Sequence, residues 1–320
     1  NYYDAYSGLD STEIVESNPS TTRLINATKF SGRTNSGMGI GIFNAITANS
    51  YATIYDTLSG ERRSVLTDPF TNYNVLVFDQ NLKNNSSVTL VNTSVLRNGE
   101  TYDANVTSGG FNLFSKAQKY QVNGQLALSQ IYSGDSVDIG HLTNFGFGKS
   151  AGQFLFNLQY NETSKNYNPN DLGYFFGTNQ RNFNAYAAYN IYEPFWKLYR
   201  FWSSVSTNYS RNISPDNFAN FFVVLEAGGT FKNFMTAGAW SQIEPVITYD
   251  YFEPRVAGRA YEYPKNIRFG GFISSNYGKP FSLDMSASFA RFDDVGRYNF
   301  NLTASPRFRL SDKLFIVLTN

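Results

Sequence analysis

Apolar and polar residues alternate along most of the chain with a period of two. In 281–290 the odd positions are apolar and most even positions carry serine or aspartate, and 298–310 repeats the pattern. Earlier segments with the same alternation are 120–132, 154–160, 182–191 and 199–209. Successive side chains of a β-strand point to opposite faces of a sheet, whereas a helix repeats every 3.6 residues. The pattern therefore predicts long, two-faced strands, and it predicts no helix.

The predicted strands have the length and the ends of membrane strands. They run for about 10 to 15 residues, against about five or six in soluble sheets, and about 9–11 tilted residues cross a bilayer. Aromatic residues close several apolar faces, such as Tyr120 with Tyr132 and Tyr199 with Tyr209, as aromatic girdles do. The sequence thus predicts an all-β fold, a transmembrane antiparallel up-and-down β-barrel of about 16 or more strands. A large soluble β-sandwich or propeller is the alternative.

The connections and the chain ends set the predicted boundaries. Short turns with Gly, Asn, Asp or Pro alternate with longer polar segments, as in an up-and-down meander. Residues 1–21 lack alternation and are predicted to be a linker or surface segment, and 22–320 is predicted to be the barrel. Because the last strand pattern stops at Asn320 without a final aromatic, we expect the chain to be part of a longer polypeptide whose barrel continues beyond it.

Composition excludes several functional classes. There are 26 Lys+Arg against 25 Asp+Glu, no cysteine and one histidine, His141. A nucleic-acid-binding protein would carry a basic excess, and thiol catalysis and multi-cysteine or multi-histidine metal sites lack their residues. No Ser–His–Asp arrangement can be identified, so we expect no enzyme activity and no nucleic-acid partner.

One loop combines tyrosines with charged residues. We interpret Tyr249, Tyr251, Glu253, Arg255 and Arg259 as a candidate binding surface in an extracellular loop, because clustered tyrosine and arginine are typical of recognition surfaces. The alternative is a loop that packs on itself, with Glu253 paired to Arg255.

A second loop carries hard oxygen ligands. Asn168, Asn170 and Asp171 lie within 161–180, and such side chains can bind calcium. Their spacing does not match an EF-hand, and Asx-turns explain the same residues without a metal. Calcium is the only cofactor that the sequence suggests.

Six segments are more specific than a barrel pattern requires. They are RLINATKFSGRT (23–34), SGMGIGIFNA (36–45), TNYNVLVFDQ (71–80), NNSSV (84–88), YNPNDLG (167–173) and YDYFEPR (249–255). Together they resemble the DUF5916 family of Bacteroidota over nearly all of 23–320. The resemblance implies an outer-membrane protein in which a family-9-like carbohydrate-binding domain precedes a barrel-forming region. That domain is absent here, so its sugar binding does not carry over, and the family supplies no catalytic positions.

Three functions remain open from the sequence. The first is a structural or accessory subunit of an outer-membrane protein complex, or an anchor for an N-terminal domain. The second is a porin-like channel or a protein that binds or transports glycan nutrients. The third, an outer-membrane enzyme, has no supporting residue set. The expected location is the bacterial outer membrane, and the expected partners are its lipid and lipopolysaccharide and other outer-membrane proteins.

Overall fold

The protein is built of antiparallel β-strands. The computed structural model describes residues 3–256, 258–311 and 313–318. The strands are β1 (Glu13–Ser17), β2 (Leu24–Arg33), β3 (Met38–Thr47), β4 (Ser50–Asp56), β5 (Arg62–Asp68), β6 (Thr71–Asn81), β7 (Ser87–Arg97), β8 (Asp103–Phe114), β9 (Tyr120–Ser133), β10 (Ser136–Lys149), β11 (Phe154–Thr163), β12 (Gln180–Ile191), β13 (Leu198–Asn212), β14 (Phe218–Phe231), β15 (Thr236–Glu244), β16 (Thr248–Asp250), β17 (Tyr261–Tyr263), β18 (Asn266–Ser274), β19 (Phe281–Phe292), β20 (Tyr298–Ser311) and β21 (Leu314–Val317). Within these described ranges, no helix has the length and apolarity needed to cross a membrane.

Sixteen of these strands form one sheet. Their order follows the chain, from β2 through β3 and β6 to β15, and then from β18 to β21. The described ladders are antiparallel and pair each strand with its neighbour in that order, for example Phe269 with Phe289 and then Phe300. The predicted all-β, antiparallel meander of about 16 strands is confirmed to this extent, and β2 and β21 stand first and last in the order.

The chain divides into two compact units, and each is described by itself. The first comprises Asn1–Leu113, Gly124–Thr143 and Thr163–Thr178. The second comprises Phe114–Asn123, Asn144–Glu162 and Asn179–Asn320.

The predicted alternation of short and long connections is found only in part, because two residues join β9 to β10, and five residues each join β7 to β8, β13 to β14 and β19 to β20. Turns of four to six residues follow β2, β6, β8, β10, β12, β14 and β18. The three longest connections in the sheet, 48–70, 164–179 and 245–265, all occur at the alternate positions. Successive hairpins of a meander leave opposite edges of the strands. The three longest connections therefore lie at the strand ends opposite to those joined by the short turns. Asp312, in the turn predicted at 311–313, lies outside the described residues.

A three-stranded sheet extends the hairpin of β3 and β6. Those strands pair up to Thr47 with Thr71, and β4 and β5 continue the hairpin from the pair of Ser50 with Asp68. The third strand, β1, pairs with β4 and lies within residues 1–21, which the sequence predicts to be a linker or surface segment. The side chain of Ile54 in β4 is fully buried.

Many large apolar side chains of the main sheet are exposed, and several of their small neighbours are buried. In β9 of the first unit, Leu126 is 50% and Leu128 is 41% exposed, whereas Ala127 and Ser129 are each 1% exposed. In β19 of the second unit, Phe281 is exposed and its neighbour Ser282 is buried. In each unit, we call the side of the sheet that carries these exposed apolar residues (Leu126 in the first, Phe281 in the second) the apolar face, and the opposite side the polar face. This distribution is the reverse of a water-soluble domain, in which leucine and phenylalanine are the residues most often buried.

Candidate functional site

The connection between β11 and β12 folds onto the polar face of the first unit. Its Tyr167 is buried and packs against the backbone of Gly140 in β10, where an added Cβ would overlap the Tyr167 backbone. The backbone N–H of Asn168 donates to the buried hydroxyl of Ser129 at 3.0 Å, and Asn166 Nδ2 donates to Asp138 at 2.6 Å. We call residues 164–178 the inner loop. Its contacts fix it against strands β9 and β10, and burial raises the pKa of the Tyr167 phenol.

A buried ion pair fastens the inner loop to strand β7. Arg97 donates to Asp171, and the two side chains are only 9% and 8% exposed. Tyr102 adds a hydrogen bond from its hydroxyl to the same carboxylate at 3.1 Å, and the Arg97 guanidinium lies 4.5 Å from the centre of the Tyr102 ring. A buried carboxylate that meets a guanidinium and a phenol has its charge and its acceptor sites compensated. We call these three residues the latch.

The three predicted calcium ligands all take part in the inner loop. Asn168 Oδ1 accepts the N–H of Asn170 at 3.2 Å, and Asn170 Oδ1 accepts the N–H of Phe175 at 2.7 Å. These are the local turn contacts expected of Asx residues, and Asp171 belongs to the latch. Within the described part of the chain, no three His, Asp or Glu side chains form a group that could hold a metal ion. Calcium binding here stays a prediction.

The structure brings together only part of the predicted tyrosine–arginine surface. Tyr249 and Tyr251 stack at 6.2 Å between ring centres, and Tyr249 packs edge-on against Phe218 at 6.4 Å. The Tyr251 hydroxyl donates to the backbone carbonyl of Phe218 at 2.9 Å, and burial is the main cause that raises its pKa.

The charged members of that set make contacts with nearby residues of the same loop. The Arg255 guanidinium lies 4.2 Å from the centre of the Phe252 ring, and the Glu253 backbone N–H donates to Asp250 at 3.0 Å. Arg259 donates its backbone N–H to Val256 at 3.1 Å. A binding role for this loop stays a prediction, and the two tyrosines are the residues that the fold positions most firmly.

The whole chain matches one protein family. The match covers residues 2–320, and the family is described as "Domain of unknown function (DUF5916)". This chain belongs to the DUF5916 family. No curated protein and no solved structure matches it. The predicted membership of the DUF5916 family is therefore confirmed, whereas the family description assigns no activity.

The second unit of this DUF5916 chain carries aromatic residues at both ends of its apolar face. Near the long connections the ring pairs, with their centre separations, are Tyr160–Phe183 (4.9 Å), Phe183–Tyr209 (6.4 Å), Tyr209–Phe221 (6.5 Å) and Phe269–Phe289 (5.4 Å). Near the short turns they are Tyr120–Phe147 (6.4 Å), Phe147–Phe156 (5.4 Å), Tyr199–Phe234 (5.3 Å) and Phe281–Phe308 (5.3 Å). Aromatic rings therefore lie at both ends of these strands on the apolar face.

The first unit of the DUF5916 chain carries a hydrogen-bonded polar network on its apolar face, which sequence reasoning missed. Asn44 donates to Asn72 at 2.6 Å and to Asn74 at 2.8 Å. Asn92 donates to Asn105 at 3.2 Å and to Thr107 at 2.8 Å. A signal was available in the sequence, since asparagine stands among the apolar positions of the segments that form β3, β6, β7 and β8.

Proposed function

We propose that this DUF5916 chain is a membrane-embedded, up-and-down β-barrel of the bacterial outer membrane. Its role in this proposal is that of a structural or accessory subunit without enzymatic activity. Its apolar face meets lipid and lipopolysaccharide, and other outer-membrane proteins are its partners.

The observation that supports the proposal best is that the main sheet exposes large apolar side chains and buries small ones. Leucine, isoleucine and phenylalanine are exposed on strand after strand, for example Leu90, Ile139 and Leu302. In water this arrangement would leave a very large apolar surface uncovered, which soluble monomers avoid. In a bilayer the same surface is covered by acyl chains, and the alternation apolar-out, polar-in is the pattern of membrane barrels.

The distance between the aromatic ends supports the same proposal. In β19 the two ends are marked by Phe281 and Phe289, which pair with Phe308 and Phe300 in β20. Eight residues at about 3.4 Å each span about 27 Å along the strand. A tilt of about 40° reduces this to about 21 Å across the membrane, close to the apolar band of about 25 Å seen in such barrels.

The inner loop favours a structural role over an open channel. Residues 164–178 occupy the polar face of the first unit, and the latch ties them to β7 across 74 positions of sequence. A conducting pore needs a continuous polar passage. A loop held by a buried ion pair against that face narrows any such passage. A channel or glycan transporter is therefore the alternative, and the native purification described below tests it.

Spin labels at single cysteines test whether the apolar face meets lipid. Because the chain has no cysteine, Leu302→Cys and its neighbour Thr303→Cys can each be labelled in vesicles of outer-membrane lipid. We expect the label at 302 to be relaxed by lipid-soluble oxygen and the label at 303 by a water-soluble nickel complex. Equal access of the nickel complex to both positions would contradict the membrane proposal.

Native purification tests the accessory role. The full-length protein is extracted in gentle detergent and everything that co-purifies is identified by mass spectrometry. We expect other outer-membrane proteins in fixed stoichiometry. A chain that purifies alone and conducts ions in planar bilayers would overturn the accessory role and establish the channel instead.

A further inference from the structure

Six polar residues form a hydrogen-bonded patch on the apolar face of the first unit. They are Asn44, Asn72, Asn74, Asn92, Asn105 and Thr107, and we call them the amide patch. Strand register fixes the side on which they lie. Asn92 shares its face with Leu90, two positions away, and Asn44 shares its face with Ile42. Both apolar neighbours are exposed.

The patch interrupts the apolar band on these strands. In β3, Asn44 lies between Ile42 and Ile46 on the apolar face, and in β7, Asn92 and Ser94 lie between Leu90 and Leu96. The unbroken apolar run from Met38 to Ile42 covers about 14 Å along the strand. In the second unit, Phe281 to Phe289 spans about 27 Å. In β9, which follows the patch strands in the sheet order, Leu126 and Leu128 keep the same face apolar.

Acyl chains cannot satisfy amide groups. Each asparagine offers two N–H donors and a carbonyl oxygen with two lone pairs, and unsatisfied polar groups in hydrocarbon are costly. Within the patch, Asn72 and Asn74 serve as acceptors for Asn44. A surface that covers the patch can accept from their N–H groups, and it must itself be polar.

The chemistry of the patch is self-complementary. Its members are uncharged, and an amide is donor and acceptor at once, so amides from two copies can pair around a two-fold axis. Hydrogen bonds between polar side chains of adjacent membrane-spanning elements are a known form of association.

The size of the face also fits a dimer. The patch lies on four consecutive strands of the sheet, β3, β6, β7 and β8, and β2 adjoins them. Five strands spaced about 4.8 Å apart and about ten residues long present about 800 Å². A standard interface buries about 800 Å² on each partner.

We propose that the amide patch is the interface through which two copies of this chain associate side by side in the membrane. The inference rests on the proposed membrane location and goes beyond it, because it names the surface and the partner. Two patches face each other, and the amides that lipid would leave unsatisfied pair across the interface.

Cross-linking of single-cysteine variants tests the position of the interface. Ser94→Cys and Thr28→Cys lie on the patch side, opposite Asn74 and Asn44 in the strand register. Leu158→Cys and Ala287→Cys lie on the apolar face of the second unit and serve as controls. With a bis-maleimide in vesicles, we expect covalent dimers at 94 and 28, and few at 158 and 287. Equal yields at all four sites would overturn the proposed interface.

Substitution of the amides tests their contribution. In the double variant Asn74→Leu with Asn92→Leu, we expect the association constant of the dimer in vesicles to fall by about tenfold or more. The matched control is Asn184→Leu with Asn208→Leu, an amide pair joined at 2.7 Å on the polar face of the second unit. We expect this control to dimerise normally. Heat-modifiable migration in gels verifies that each variant is folded.

Counting copies separates failure of this inference from failure of the membrane proposal. Single-molecule photobleaching of the unaltered chain in vesicles should show two steps. Single-step bleaching in particles that float with the vesicles would overturn the dimer alone. Cross-links in native membranes that form only to a different protein would show that a second copy of this chain does not cover the amide patch. Protein that does not float with vesicles would instead contradict the proposed function.

Discussion

At the scale of single residues, Gly140 decides where the inner loop can lie. A Cβ at this position would overlap the backbone of Tyr167, whereas a Cβ at Gly109 in β8 meets no atom within 4 Å. We expect Gly140→Ala to displace the inner loop and Gly109→Ala to leave it in place. Overpacking of this kind costs about 1–3 kcal/mol.

Trypsin cleavage after Lys165 measures that displacement, since this residue is exposed within the loop. We expect cleavage to accelerate about tenfold or more in Gly140→Ala, in proportion to the free-energy cost. Gly109→Ala is the matched control, because it adds the same methyl group to a strand glycine of the same unit. Equal cleavage rates in the two variants would show that the loop does not depend on close approach to Gly140.

The latch gives a second prediction at this scale. Asp171→Ala leaves the Arg97 guanidinium buried without its carboxylate, so we expect a loss of about 3–5 kcal/mol in the free energy of unfolding in detergent micelles. Asp216, 61% exposed and paired with Arg211 at 2.7 Å, is the control. We expect Asp216→Ala to cost about 1 kcal/mol or less. Arg97→Met added to Asp171→Ala should recover part of the loss, and no recovery would contradict the ion-pair explanation.

At the scale of elements, two ion pairs attach β1 to the three-stranded sheet. Glu13 binds Arg63 and Glu16 binds Arg62, each through two hydrogen bonds. The hydrogen bond from Arg63 is the largest cause that lowers the pKa of Glu13 from 4.5 to about 2. A carboxylate with a lowered pKa stabilises the folded state fully above its unfolded value, and the contribution disappears as the pH falls toward the folded value.

We therefore expect β1 to loosen between about pH 4.5 and 2. Hydrogen exchange of the Glu13–Ser17 amides, corrected for intrinsic rates, should rise relative to the β4 amides in this window. Glu13→Gln should exchange faster already at pH 6 and lose much of the pH dependence. The same profile in Glu13→Gln and the unaltered chain would contradict a role for this carboxylate, and Glu16→Gln separates the second pair.

The strands and turns of the main sheet could be predicted because their causes are local. Alternation follows from the pleat of a strand, and turns follow from Gly, Asn, Asp and Pro. The strand β1 could not be predicted in the same way. Its partners Arg62 and Arg63 lie 46 and 50 positions away from Glu16 and Glu13, and no local pattern encodes that pairing.

The candidate site divides along the same line. Asn168 and Asn170 make the short-range turn contacts that their residue type favours. The partner of Asp171 is Arg97, 74 positions earlier. From the sequence alone, a carboxylate in a loop suggests a bound cation. Only the fold shows that the guanidinium of Arg97 already lies beside it.

At the scale of the whole molecule, the sequence pattern shows that each strand has two faces, but not which positions adjoin across strands. Asn44, Asn74 and Ser94 are scattered in the sequence, and the register places them side by side. The spin-label experiment and the photobleaching experiment belong to this scale. They ask what covers the apolar face, which depends on the assembled sheet rather than on any one strand.

The chain-order topology of the main sheet also sets the course of its assembly. Most ladders of the main sheet join strands that follow one another directly, so loop-closure entropy is small and these hairpins can form quickly from local contacts. The outer edge of β2 is the exception, because β2 stands at one end of the described order and pairs in it with β3 alone. Leu24, Ile25 and Phe30 stay exposed beside that edge. An edge strand is open to wrong pairing while a sheet assembles, so we expect β2 to need protection at that stage.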